Sequence, residues 1–143
     1  PLRDLNRREK AAPVPADSVH IKLGEKLNVH FEIDGEQLIK PTVTKVADPL
    51  SANSFNLDFH LERRGRVLLL VHSFEQVIRV KCLARLKGQD AYFETDLLPV
   101  PPHTTNPELW SAEIEELALF DFHFSSNNSE QSVAALASSG TRP

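Results

Sequence analysis

The sequence predicts an all-β fold: an antiparallel β-sandwich of about eight strands, immunoglobulin-like or jelly-roll-like in outline, with at most one short helix near 107–112. Three observations carry this. Apolar and polar residues alternate without a fault in two long stretches. Four of the five glycines fall between apolar runs. Helical spacing occurs in one segment alone. Period-2 alternation with one wet face is the habit of antiparallel sheets, whereas helices repeat every 3.6 residues.

Residues 1–16 read as a flexible charged arm. Arg3, Arg7, Arg8 and Lys10 are interleaved with Asp4 and Glu9, and Pro13 and Pro15 stop any helix. Val19 to Leu23 is a first short strand. Leu27 to Asp34 alternates perfectly, and Asp34-Gly35 marks a tight hairpin. Pro41 interrupts the run Leu38 to Val46 and predicts a sheet edge or a bulge, because proline cannot donate to a ladder. Phe55 to Glu62 alternates again. Arg64-Gly65 turns the chain into Val67 to Val71, an apolar run suited to a central strand. Ile78 to Leu86 puts Ile78, Val80, Cys82, Ala84 and Leu86 on one face. Lys87-Gly88 then turns it into Ala91 to Leu98. Phe120, Phe122 and Phe124 alternate near the end.

The short helix is expected near 107–112. Asn106 suits an N-cap, Pro107 the first helical position, and Trp110, Ile114 and Leu117 have helical spacing. Residues 126–143 are serine-, asparagine- and alanine-rich and carry no aromatic residue, so they read as a disordered polar tail. The domain boundaries are thus 1–16, 17–125 and 126–143.

At 143 residues the chain holds one ordinary domain. Apolar residues are 41% and charged residues 25%, the balance of a soluble globular protein. No apolar run approaches the ~20 residues of a membrane span. The chain starts at Pro1 and contains no methionine, which fits a processed form or a piece of a longer protein. A lone cysteine, Cys82, makes no internal disulfide and leans toward a reducing, cytoplasmic compartment.

Charge is distributed unevenly. From Glu62 to Gly88 there are seven basic and two acidic residues; from Gln89 to Glu130 there are nine acidic residues and no lysine or arginine. The net charge of −4 argues against a nucleic-acid binder.

Signature motifs of catalysis and phosphate binding are missing: no Gly-x-Ser-x-Gly, His-Glu-x-x-His or glycine-rich loop occurs. Arg3-x-x-x-Arg7 is similar to half of the cyclic-dinucleotide motif of PilZ barrels, but the companion Asp/Asn-x-Ser-x-x-Gly is absent, so no function carries over. His30, His60 and His123 sit on polar strand faces without a metal spacing, and no metal or cofactor is expected. Cys82 lies in phase with the core, and Glu113, Glu115 and Glu116 read as a solvated acidic stretch.

The basic residues are the better lead. Arg63, Arg64 and Arg66 crowd one hairpin tip; Arg79, Lys81 and Arg85 share a strand face, with Glu94 and Asp96 expected opposite. The second lead is the stiff loop from Pro99 to Pro107, which includes Pro101 and Pro102, beside Trp110, the only tryptophan. Aromatic anchors are favoured in interfaces. The expected function is therefore non-catalytic: a β-sandwich module for protein–protein interaction or assembly, binding a protein partner or a second copy. The alternative is a small β-barrel that binds a ligand or single-stranded nucleic acid through the basic strand face, with Tyr92 as its stacking residue.

Overall fold

The computed structural model describes residues 2–3, 11–45 and 50–125. The greater part of the charged arm and the whole polar tail therefore lie outside the described residues. Ten strands are present among the described ones: β1 (Leu2–Arg3), β2 (Val19–Lys22), β3 (Lys26–Asp34), β4 (Gln37–Thr44), β5 (Ser54–Glu62), β6 (Gly65–His72), β7 (Ile78–Leu86), β8 (Tyr92–Thr95), β9 (Asn106–Trp110) and β10 (Ile114–Phe124). They form one continuous sheet in the order β1-β9-β6-β5-β3-β4-β10-β7-β8, with β2 also paired to β10. Every pairing is antiparallel except β1 with β9.

The sheet curls into a half-barrel, and two walls face one core. The first wall is β9-β6-β5-β3-β4; the second is β2-β10-β7-β8. Rings from the two walls meet in the middle: Phe31 and Phe122 centroids lie 4.6 Å apart, and Phe55 and Phe122 5.3 Å. Phe31, Phe55, Phe59 and Trp110 are fully buried. Each such side chain contributes about 1.5–3 kcal/mol by leaving water.

The alternation read in β3 and β5 is the burial pattern found: Leu27, Val29, Phe31 and Phe55, Leu57, Phe59 face the core. Pro41 sits where the sequence places a bulge. His30 pairs with Thr42 and Glu32 with Ile39, so Phe31 faces both Lys40 and Pro41. Lys40 takes φ 52°, and the Phe31 N–H turns aside to donate to the Asn53 carbonyl at 2.9 Å. A second bulge lies in β10 between Phe120 and His123, with Asp121 at φ 53°. There β10 changes neighbour: Glu116 to Leu119 pair with β2, and His123 pairs with Gln37 of β4.

The segment expected as a short helix near 107–112 is strand, and no helix occurs among the described residues. Asn106 to Trp110 pair with Leu70 to Arg66 of β6. Glu108 and Trp110 face inward and Pro107 outward. Pro107 lies beyond the two residues of β9 that pair with β1, so its missing N–H disturbs no described ladder on that side.

Residues 11–16, read as part of the arm, belong to the packed structure. Ala11 bridges Phe93, and the Ala12 N–H donates to the Tyr92 carbonyl at 2.8 Å. Val14 beyond them is half-buried. Leu83 of β7 and Ala118 of β10 pair with each other outside the core cluster, yet are only 1% and 0% exposed.

The register also sorts the connections. The turns at 23–25, 63–64, 87–91 and 111–113 gather at one end, here the upper end, where Arg66 pairs with Trp110 and Leu86 with Ile114. The β3–β4 turn and the loops at 73–77 and 96–105 gather at the lower end, where Ile78 pairs with Phe124 and Gln37 with His123.

Candidate functional site

The basic strand face is the first candidate, and its charges are answered within the fold. β7 pairs along its length with β10, so basic and acidic segments 30 to 40 residues apart become neighbours. Arg85 places Nη1 3.1 Å from Glu115 Oε1 and Nη2 3.2 Å from Glu116 Oε1. Lys81 Nζ lies 3.2 Å from Asp121 Oδ2, and Arg79 is also engaged. β8 lies opposite β7 as predicted, but the carboxylates that meet Lys81 and Arg85 come from β10 rather than from Glu94 and Asp96.

Glu116, read as solvated, is 9% exposed and forms the centre of a polar cluster. His20 Nδ1 approaches its Oε2 at 2.7 Å, and Tyr92 bonds it as well. Burial would raise the Glu116 carboxyl, but the bonds from His20, Arg85 and Tyr92 outweigh it and hold the group below the ordinary carboxylate value. Tyr92 also stands edge-on to His20 with ring centroids 6.2 Å apart. Its hydroxyl and its ring contact with His20 thus tie Tyr92 into this cluster.

Trp110 and the proline loop are the second candidate. Trp110 is fully buried and its indole N–H donates to Thr95 Oγ1 at 2.9 Å. It joins β9, second in the strand order beside the two-residue β1, to β8 at the other extreme, and offers no surface to a partner. The loop spans the same opening at the lower end. Val100 exchanges backbone bonds with Ile78 at 2.8 and 3.0 Å, and the Leu98 N–H donates to buried Glu108 at 3.0 Å. His72 clamps it further. Nδ1 accepts from the Phe74 N–H at 3.1 Å, so Nε2 carries the proton and donates to the Val100 carbonyl at 2.9 Å. His72 is fully buried, and burial pushes its pKa down, which keeps it neutral. Pro101 and Pro102 follow the clamp, half-buried.

The other titratable candidates are equally placed. Cys82 is 3% exposed in the core. His60 lies between two carboxylates of its own strand, with Nδ1 2.9 Å from Asp58 Oδ1 and Nε2 2.6 Å from Glu62 Oε2. The Glu62 bond, with that of Asp58, raises its pKa. His30 and His123 stand on β3 and β10, far from this ladder in register. Among the described residues no group of histidine, cysteine and carboxylate side chains is placed to hold a metal, and no helix is long and apolar enough to cross a membrane.

What remains is the third candidate, the hairpin tip. Among the described lysines and arginines, Lys40 pairs with Glu32, Lys45 with Glu25, Lys81 with Asp121 and Arg85 with Glu115 and Glu116, while Arg79 is engaged. Lys22, Lys26, Arg63, Arg64, Arg66 and Lys87 form no ion pair with the described residues, and all lie at the upper end. Arg63 and Arg64 are exposed at the β5–β6 turn, and Glu62 beside them is turned to His60. Arg66 is half-buried, and its Nε finds no hydrogen-bond partner among the described residues. Gly65 fixes the tip. It has φ 147°, and a Cβ there would overlap the Trp110 carbonyl oxygen. The sequence named Arg63, Arg64 and Arg66; it did not group them with Lys22, Lys26 and Lys87, because three separate turns place them at the same end of the sheet.

No protein-family model, curated protein or solved structure matches the chain.

Proposed function

We propose that this domain is a non-catalytic interaction module that docks an acidic protein surface on its upper end. One observation carries the reading: among the described residues, the lysines and arginines without an ion-pair partner are confined to that end, while Lys81 and Arg85 of the β7–β10 face are paired. An unpaired exposed guanidinium keeps its donors and its field for a partner. The buried polar groups support the same reading. His72, Glu108, Glu116 and Thr95 each hold one part of the fold to another, and none is paired with a nucleophile at an open cleft.

Titration of the full chain with a fluorescent oligoglutamate peptide tests this. Binding is expected to weaken steadily as salt rises, since exposed charges are screened beyond about 10 Å at 0.1 M salt. Arg63→Glu with Arg64→Glu abolishes it, and Lys40→Glu leaves it unchanged. Equal loss in both variants, or binding indifferent to salt, contradicts the reading.

A further inference from the structure

The acidic partner has a chemical identity within the chain itself. The lower end carries its own hairpin tip, the β3–β4 turn Asp34-Gly35-Glu36, and it mirrors the upper tip in composition and opposes it in sign. Asp34 and Glu36 are exposed and form no ion pair with the described residues. Ile33 beside them is 49% exposed. At the upper tip, Leu61 is 59% exposed beside Arg63 and Arg64. Each tip thus pairs an exposed aliphatic side chain with two charges of one sign.

From this we infer that a second copy of the chain docks head to tail, the Ile33-Asp34-Glu36 tip of one molecule on the Leu61-Arg63-Arg64 tip of the next. The inference rests on the docking role proposed for the upper end and names its occupant. Opposite charges set the partners and their register, while like tips repel, so upper-to-upper and lower-to-lower contacts are disfavoured. The two aliphatic side chains supply the apolar contact that charge alone lacks. Because the two patches differ, the contact is heterologous. Repetition then gives a ring where the rotation closes and an open chain where it does not. Two hairpin tips cover little area, which places the contact in the weak, reversible class.

The experiment is light scattering of the full chain over a range of protein and salt concentrations, with charge-swapped variants. At low salt the average mass rises with concentration and falls to the monomer as salt is added. Arg63→Glu with Arg64→Glu, or Asp34→Lys with Glu36→Lys, each raises the apparent dissociation constant by about tenfold or more, as loss of two or more exposed ion pairs implies. An equimolar mixture of the two double variants recovers assembly, because every junction again joins opposite signs; that recovery also shows both variants folded. A wild-type chain that stays monomeric under all conditions overturns the inference, and so does failure of the mixture to recover. If that monomer still binds oligoglutamate through Arg63 and Arg64, the docking role stands and the second copy as its occupant falls.

Discussion

The two ends of the half-barrel use the same device and finish with opposite signs. At each end a glycine turn projects two charged residues and one exposed aliphatic one: Arg63, Arg64 and Leu61 above, Asp34, Glu36 and Ile33 below. The walls between them behave otherwise. Charges there are as dense, but β7 and β10 bring them into contact and they cancel. The polarity visible along the chain, a basic middle followed by an acidic stretch, is thus neutralised in space. The polarity that survives comes from short turns whose residues cannot reach one another.

The turn glycines give the sharpest way to break this comparison. Gly65→Ala should destabilise the fold by about 3 kcal/mol or more, since a methyl group there meets backbone that cannot move without shifting β9. Gly35→Ala should cost only about 1 kcal/mol, for the φ of 63° alone, since nothing lies within 4 Å of the added carbon. Urea unfolding of both variants checks the difference; equal costs would deny that the upper tip is seated on Trp110.

His72 and His60 oppose each other in pH dependence. His72→Leu should cost about 1–3 kcal/mol at pH 7.5 by stranding the buried Phe74 N–H. The His72 pKa is lowered in the fold, so the unfolded chain binds more protons, and its contribution declines as pH falls below about 6.5. The His60 pKa is raised, so its contribution is complete below about 6.5 and is lost as pH rises through the higher folded value. Stability curves from pH 5 to 8 should steepen toward acid in His60→Gln and flatten in His72→Leu.

Wall charges order the smaller effects. Arg85→Ala should cost about 1.5–3 kcal/mol, because it uncovers the mostly buried Glu116. Lys81→Ala, whose side chain is largely exposed, should cost at most about 0.5 kcal/mol. If Lys81 mattered as much as Arg85, the walls would not be ranked by burial as this account holds.

Much of the fold is legible in the residues because each strand has one wet face. β3 and β5 are examples, and Pro41 marks its bulge by its missing N–H. The failures have separate causes. β9 is short and one of its two inward side chains, Glu108, is charged, so no apolar alternation marks it, and Trp110 of β9 with Ile114 and Leu117 of β10 mimics a helix across the turn at 111–113. The segment 12–15, Ala-Pro-Val-Pro, has no period. Nor does any local signal announce that β7 will lie beside β10 rather than face a partner with its cations. The hairpin tip was legible because glycine beside arginine is a local pattern. Burial of Trp110 was not, because an anchor and a core residue look alike until the opposite wall is known.

Among the described residues, the cations of the β7–β10 face are engaged and those at the upper end form no ion pair. Amide chemical-shift mapping of the isotopically labelled full chain, on addition of oligoglutamate at low salt, tests that contrast most directly. The account predicts shifts gathered at 22–26, 61–66 and 87–88, and none along Arg79, Lys81 and Arg85. Shifts centred on the β7–β10 face, with the β5–β6 tip unmoved, would contradict it.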